Sequence, residues 1–375
     1  GIRVSGKILE STDVPRGVRT SRTAVGEFAF SAQALVIASG GIGRNFDLIR
    51  QNWPAGWGSP PQRLIAGVPD YVDGSMLKIT EAAGGRVINR DRMWHYPEGI
   101  VNHSPIWSHH GIRILAGPSS LWLDARGRRF PAPLFPGFDA LGALRHVVGS
   151  GYDYSWFVLD QATLATEIAL SGSEQNGDLT TKSLRLLANR IRPGPTPEVR
   201  AFQERGVDFV SAASVLELAA QMNQLVGERL VDGESLRRVI EARDLQVRSG
   251  LGKDPQVVAT AAARRFIGDR LMRVVPPHEL LDPKDPGAGR AGSSGPLVAI
   301  RLHVLTRKTL GGLETDLDGR VLRSDGAALR GVYAVGEAAG FGGGGMHGYR
   351  ALEGTFLGGC LFTGRVTGRA LAASL

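Results

Sequence analysis

The spacing of apolar residues predicts two buried strands, one near each end of the chain. Residues 34–38 form a continuous apolar run, which is typical of a parallel strand covered on both faces. Residues 332–335 form a second short run of the same kind. Each run ends in small residues that would let a ligand approach the backbone, namely Ser39, Gly40 and Gly41 after the first and Gly336 after the second.

An acidic residue, Glu337, follows the second strand directly. In open α/β sheets, ligands bind at the carboxyl ends of the strands. A carboxylate at this point can accept two hydrogen bonds from a vicinal diol, such as that of a ribose. We therefore expect Glu337 to lie in a ligand site.

Apolar residues at helical spacing predict several helices. One is expected over 44–53, where Pro54 ends it, and one begins after Asp73, which we expect to be its N-cap. Two further helices are expected over 216–225 and 234–245.

Between these helices the pattern favours strands and turns. A hairpin is expected over 121–130 and strands over 156–161 and 296–305, whereas 282–295 is rich in Pro, Gly and Ser and predicts a loop.

A glycine-rich stretch near the end of the chain precedes the last predicted helix. Four glycines occupy 342–345, and a longer apolar segment with several small residues extends over 356–371. We expect this segment to be a helix packed tightly on a sheet. Its first amides would have no intrahelical partner and would face an electron-rich atom.

Composition narrows the class of protein. The 375 residues carry a formal net charge of +8, and the arginines that supply most of the positive charge are spread along the chain. We therefore expect no nucleic-acid partner, and no apolar run long enough to span a membrane occurs. The single Cys360 excludes an internal disulfide and agrees with a cytoplasmic setting. One cysteine and scattered histidines predict no metal site.

The run His-Gly-Tyr-Arg-Ala-Leu-Glu-Gly-Thr-Phe-Leu-Gly-Gly over 347–359 carries a resemblance. Together with the strand and acid before it, this run resembles the FAD-binding dehydrogenases related to fumarate reductase, succinate dehydrogenase and 3-ketosteroid dehydrogenase. The resemblance implies an α/β fold, α+β overall, in which a capping domain interrupts a Rossmann-like FAD domain. The implied boundaries are 1–97 and 298–375 for the FAD domain and 98–297 for the cap.

The resemblance also implies the residues that contact FAD. In the family, the Gly-Glu pair contacts the sugar portion of FAD, and the start of the late helix faces the flavin O2. Carried over to this chain, the implied cofactor-binding residues are Ser39, Gly40, Gly41, Gly74, Gly336, Glu337, Gly354, Thr355 and Phe356.

The implied chemistry is hydride transfer between flavin N5 and a carbon–carbon bond next to a carbonyl or carboxylate of a small-molecule substrate. The candidate catalytic residues are Arg307, Lys308, His347, Tyr349 and Arg350. Arginine can bind a carboxylate through two hydrogen bonds, and tyrosine can donate a proton to a carbonyl. The competing interpretations are a solvated loop charge for Lys308 and a salt bridge from Arg350 to Glu353.

The start of the chain shows no Gly-x-Gly-x-x-Gly fingerprint after a first strand. We therefore expect a fragment that lacks an upstream ADP-binding βαβ unit. Two hypotheses stay open at this point. One is a FAD-dependent oxidoreductase, and the other is a non-catalytic flavoprotein fragment that cannot retain FAD.

Overall fold

The computed structural model describes residues 1–10, 23–171, 183–289, 295–350 and 354–374. Strands and helices alternate irregularly along these ranges. The strands are β1 Ile2–Leu9, β2 Ala24–Ala32, β3 Leu35–Ile37, β4 Ile65–Ala66, β5 Val87–Ile88, β6 Met93–Val101, β7 Gly111–Leu115, β8 Leu121–Leu123, β9 Tyr154–Asp160, β10 Ala169–Ser171, β11 Phe209–Ala212, β12 Leu281–Asp282, β13 Asp285–Gly289, β14 Leu297–Thr309, β15 Gly312–Leu313, β16 Arg320–Leu322 and β17 Ala328–Ala334.

The helices lie mostly in the middle of the chain. The α-helices are α1 Phe46–Gln51, α2 Ser75–Ala82, α3 Ala140–Gly149, α4 Gln161–Glu167, α5 Leu184–Leu187, α6 Pro197–Arg205, α7 Val215–Val226, α8 Gly233–Ser249, α9 Pro255–Ala263, α10 Ile267–Met272 and α11 Thr355–Ser374. Short 3-10 helices cover Ala55–Trp57, Ala188–Ile191 and Gly336–Ala339. None of the helices in the described ranges combines the length and the apolarity that a membrane span would need.

Strand β14 is the centre of the largest sheet, in which the strand order is β10-β7-β6-β14-β9-β8, with β4 and β11 also paired to β14. Every residue from 297 to 306 is buried. Val298 and Ile300 pack into one apolar core, and Leu297 and Ala299 pack into a second core. Because successive side chains point to opposite faces of a sheet, β14 is covered on both sides.

A smaller sheet has the strand order β16-β17-β3. Strands β17 and β3 are parallel, with Val332 opposite Leu35, so the two short apolar strands expected from the sequence are neighbours in one sheet. The expectation that 34–38 is covered on both faces is wrong, because Val36 is 42% exposed. In the part of the chain that the structure describes, β3 lies at the edge of this sheet.

Most predicted elements are confirmed, and two further local expectations are wrong. Helix α2 forms as expected, but its N-cap is Gly74 in the left-handed region and not Asp73. The Asp73 carboxylate instead accepts a hydrogen bond from the Ser75 amide at 2.9 Å. The expected loop over 282–295 contains a short hairpin of β12 and β13, and residues 290–294 lie outside the described ranges.

The division into a FAD domain and a cap stays a prediction. Strands β6 and β14 lie at its two boundaries and pair with each other in antiparallel register. Their sheet also contains β7, β8, β9 and β10 from the predicted cap. The same strands therefore support both predicted domains.

A buried ionic cluster joins this sheet to the loop before β11. Asp208 accepts hydrogen bonds from Arg301 Nε at 2.9 Å and from the Val101 amide at 2.7 Å, and it lies 2.9 Å from His303 Nε2. Burial opposes ionisation of Asp208, but the hydrogen bond with His303 and the charges of His303 and Arg301 outweigh it. The pKa of Asp208 is therefore held below its usual range.

Asp208→Ala should lower the free energy of unfolding by about 3–5 kcal/mol, because it leaves buried Arg301 and His303 without their acceptor. Urea unfolding followed by circular dichroism measures this loss. Asp47→Ala is the control, since the Asp47 side chain is 99% exposed; its loss should stay within about 1 kcal/mol. Equal losses for both variants would contradict a stabilising role for the cluster.

Candidate active site

Three strand ends meet at Glu337. The 3-10 helix Gly336–Ala339 follows β17 and carries Glu337, and Thr309 is the last residue of β14. The Thr309 amide donates to Glu337 Oε1 at 2.8 Å, and Thr309 Oγ1 accepts from the Ile42 amide at 2.8 Å. The ends of β3, β14 and β17 are thus joined by hydrogen bonds of one residue.

The glycines after β3 are required at this junction. Gly40 has a φ of +76°, in the left-handed region that favours glycine, and a Cβ there would lie 3.6 Å from Glu337 Oε2. A Cβ on Gly41 would lie 2.0 Å from Thr309 Oγ1 and 3.0 Å from Glu337 Oε1. The backbone at 40–41 therefore stays bare beside the carboxylate.

Glu337 is poised to change charge near neutral pH. Burial raises the pKa of Glu337 to about 7, and hydrogen bonds from Thr309 and the charges of Lys308 and Arg307 offset this only in part. A group that titrates close to physiological pH is typical of a functional site.

Helix α11 packs on the turn that carries Glu337. The Gly336 amide donates to Thr363 Oγ1 at 3.0 Å, and a Cβ on Gly336 would lie 3.1 Å from Cys360 Sγ. Phe356, in the first turn of the helix, packs with its ring centroid 4.9 Å from that of Phe341. The turn that carries Glu337 therefore packs against the second and third turns of α11, and Phe341 packs against the first turn. That Glu337 and the start of the helix share one ligand stays a prediction.

The Lys308 side chain lies close to both Glu337 and the first turn of α11. Its ammonium lies 3.6 Å from the centroid of the Phe356 ring and donates to the Tyr96 hydroxyl at 2.9 Å. The interpretation of Lys308 as a solvated loop charge is wrong, since the residue lies on β14 and is half-buried. Arg307, on the other side of the strand, donates to Ser171 Oγ at 2.8 Å.

A cavity of about 550 Å³ opens beside the first turn of α11. Trp94 and Phe138 contribute apolar surface to its wall, and Glu98 and Arg113 contribute a charged pair whose Oε2 and Nε atoms are 3.6 Å apart. The predicted site residues in this wall are His347, Arg350 and Thr355. Glu337 and Lys308 are not part of it, and Lys308 lies between Glu337 and the start of the helix.

The loop with the glycine run is held by a neighbouring turn. Asn89 Nδ2 donates to the Gly344 carbonyl at 2.9 Å, and Arg92 Nη1 donates to the Gly345 carbonyl at 2.8 Å. These contacts fix the segment that leads to His347, whose pKa is lowered by burial.

The last two catalytic candidates have acidic partners. The Tyr349 hydroxyl donates to Asp91, and this hydrogen bond raises the pKa of Tyr349. Arg350 Nη2 lies 3.3 Å from Asp139 Oδ2. Glu353, the alternative partner of Arg350, lies outside the described residues.

The remaining predicted cofactor residues lie around this centre. Ser39 is exposed, and Gly354 is exposed with a φ of +89°. Gly74 caps α2, and a Cβ there would lie 2.7 Å from Ile42 Cγ2. Gly74 therefore supports the segment after β3.

Sequence reasoning missed Thr309, Tyr96, Glu98 and Arg113 as site residues. Arg113 gives one usable signal, since it stands between Ile112 and Ile114 in a buried strand. A charged residue in such a strand is informative, because burying a charge without a purpose is costly.

These residues fit the cofactor that the sequence implied. The Glu337 carboxylate lies beside bare backbone at 40–41, and the Thr355 side chain is exposed at the start of a long helix. A carboxylate next to glycine suits the hydroxyl groups of a sugar, and helix amides suit an electron-rich oxygen. The Glu337 carboxylate, the backbone at 40–41 and the first turn of α11 thus have the chemistry that such a cofactor requires.

The chain is similar to curated mycobacterial proteins. It is 56% identical over 373 residues to a KsdD-like steroid dehydrogenase of Mycobacterium tuberculosis, covering 99% of this chain and 64% of that protein. It is also 56% identical over 372 residues to a KsdD-like steroid dehydrogenase of Mycolicibacterium smegmatis, covering 66% of that protein. The chain therefore spans about two thirds of the length of these relatives.

Two solved structures share the fold. A 3-ketosteroid Δ1-dehydrogenase from Sterolibacterium denitrificans, solved with 1,4-androstadiene-3,17-dione, superposes with a TM-score of 0.60 at 17% identity. A flavocytochrome c3 fumarate reductase superposes with a TM-score of 0.54 at 16% identity. Each match covers 93% of this chain, with 55% of the first structure and 48% of the second.

A family model also matches nearly the whole of this chain. The model described as FAD binding domain covers residues 3–357, which include both strand ends, Glu337 and the start of α11. The chain belongs to the FAD binding domain family.

Proposed function

We propose that this chain holds FAD at Glu337 and the first turn of α11. We further propose that the protein to which it belongs dehydrogenates a ketosteroid, or a similar apolar ketone, at a carbon–carbon bond next to the carbonyl. The observation that carries the proposal is the 550 Å³ cavity beside this turn. Its size lies within the range of about 300–1,000 Å³ that is usual for small-molecule sites.

The wall of the cavity favours an apolar substrate with one polar end. Trp94, Phe138 and Met346 offer apolar surface, whereas Arg113 and Glu98 form the charged part of the wall. A small dicarboxylate would leave the aromatic surface uncovered. The steroid dehydrogenase names of the relatives at 56% identity support the same choice.

When bound, the flavin supplies hydride chemistry at its N5 atom. The residues of this chain would supply binding and orientation. Arg350 and Arg113 are cations at the cavity that can bind a carbonyl oxygen and stabilise negative charge on it. The Tyr349 hydroxyl donates a hydrogen bond to Asp91, so its proposed role as a proton donor requires a different hydrogen-bond partner during turnover.

FAD binding by the full chain tests the cofactor proposal. We expect a yellow complex with absorbance near about 450 nm and at least tenfold weaker binding by Gly41→Val, because a side chain there collides with Thr309. Gly364→Ala is the control, since a Cβ at Gly364 meets open space. Absence of flavin binding by the wild-type chain would favour the hypothesis of a fragment that cannot retain FAD.

The pKa of Glu337 predicts how FAD affinity depends on pH. As the pH falls from 8 to 6, Glu337 gains a proton and loses acceptor capacity, so affinity should fall by up to about tenfold. Glu337→Gln should remove this dependence.

The raised pKa also means that ionised Glu337 costs stability in the apoprotein, so wild-type stability relative to Glu337→Gln should fall as the pH rises from about 4.5 to about 7. An identical pH profile for both proteins would contradict the assignment.

Reduction of the bound flavin under anaerobic conditions tests the substrate class. We expect 3-ketosteroids to reduce it and saturated dicarboxylates, the donors matched to fumarate chemistry, to leave it oxidised. Phe138→Ala should raise KM for the steroid about three- to tenfold, because apolar contact is lost from the cavity wall. Phe266→Ala is the control, since Phe266 is 67% exposed and lies outside the cavity. Reduction by dicarboxylates alone would overturn the steroid assignment.

A further inference from the structure

Tyr96 lies on β6, is completely buried and accepts a hydrogen bond from Lys308. It is not a candidate from any sequence motif, and it does not line the cavity described above. Its hydroxyl nevertheless touches the one predicted catalytic residue that lies next to both Glu337 and α11. This contact is therefore in a place to set the position of the Lys308 ammonium.

An irregular pairing of β14 with β6 places Lys308 on the same face as Tyr96. Leu305 lies opposite Tyr96, and Lys308 lies opposite Trp94. Three steps along β14 thus match two steps along β6, as in a β-bulge. In a regular strand, residues three apart point to opposite faces, so without the bulge the Lys308 ammonium would point away from Tyr96.

The Tyr96 ring is held from several sides. The Arg113 guanidinium lies 4.0 Å from the ring centroid, and the Trp94 ring packs edge-on at 6.1 Å. Ile65 and Leu305 belong to the same buried cluster. The Tyr96 hydroxyl is therefore a fixed acceptor, because its ring has no room to turn away.

Lysine has a long and flexible side chain, so holding its ammonium in one position costs rotamer entropy. The Lys308 ammonium donates a hydrogen bond to the Tyr96 hydroxyl and also lies 3.6 Å from the centroid of the Phe356 ring. The Lys308 charge also offsets part of the rise that burial causes in the pKa of nearby Glu337. A single position of the ammonium thus serves both the carboxylate and the first turn of the helix.

We propose that Tyr96 is a positioning residue whose hydroxyl fixes the Lys308 ammonium between Glu337 and the first turn of α11. The inference rests on the proposed function, because this is the place where the chain would hold the flavin. The effect of Tyr96 on Lys308 can nevertheless be tested separately from FAD binding, because it concerns the position of a lysine in the protein itself.

Chemical acetylation of the full chain without cofactor tests this position. Peptide mass spectrometry gives the rate at Lys308 relative to exposed Lys78. Tyr96→Phe should raise the relative rate at Lys308 about tenfold, because the hydrogen bond that restrains the amine is lost. Tyr154→Phe, a tyrosine change on β9 of the same sheet, should leave it unchanged. An unchanged rate in Tyr96→Phe would overturn the proposal.

A double-mutant cycle with FAD separates positioning from a general effect on the core. Tyr96→Phe should weaken FAD binding in the wild-type background and have no effect in Lys308→Met, because Tyr96 acts through the lysine. If the losses of FAD affinity in Tyr96→Phe and Lys308→Met add up in the double variant, the proposal is wrong even if the protein is a flavoenzyme. If the wild-type chain binds no FAD, the proposed function fails, and the acetylation rates alone decide the role of Tyr96.

Discussion

The hydrogen bond from the Thr309 amide to Glu337 is the constraint on which the site depends. It joins the end of β14, the strand at the centre of the large sheet, to the turn after β17. The Thr309 hydroxyl extends the connection to the segment after β3. One residue thereby fixes the carboxylate and the bare backbone at 40–41, and its neighbour Lys308 packs on Phe356 in the first turn of α11. The chemistry at this point relies on the rigidity of a strand that is buried on both faces.

Much of the fold could be predicted because its signals are local. The strand pattern at 296–305, the helical spacing at 216–225 and the apolar run at 332–335 each specify their own element. The meeting of Glu337 with α11 was also predictable, since a strand, an acid, glycines and a helix occur there in the order of a known family. The error at Asp73 arose because its carboxylate satisfies the Ser75 amide from outside the helix.

The surroundings of the site could not be predicted, because they depend on contacts between distant segments. The partner of Lys308 is Tyr96, and the partner of Arg350 is Asp139, both far away in the sequence. The cavity is formed by residues of β6 and β7, by the segment 137–140 and by the late loop together. No spacing rule along the chain reports such neighbours, and a charged residue within a buried strand, such as Arg113, is the only local sign of them.

The pairing of β14 with β6 is irregular between Leu305 and Lys308, and this has a consequence for the evolution of the site. Gaining or losing one residue in this segment would invert the orientation of every later side chain in β14, including Thr309. A change in length here would therefore displace the site even if every residue identity around it were kept. Homologues that keep this chemistry should conserve the residue count between the two strand positions.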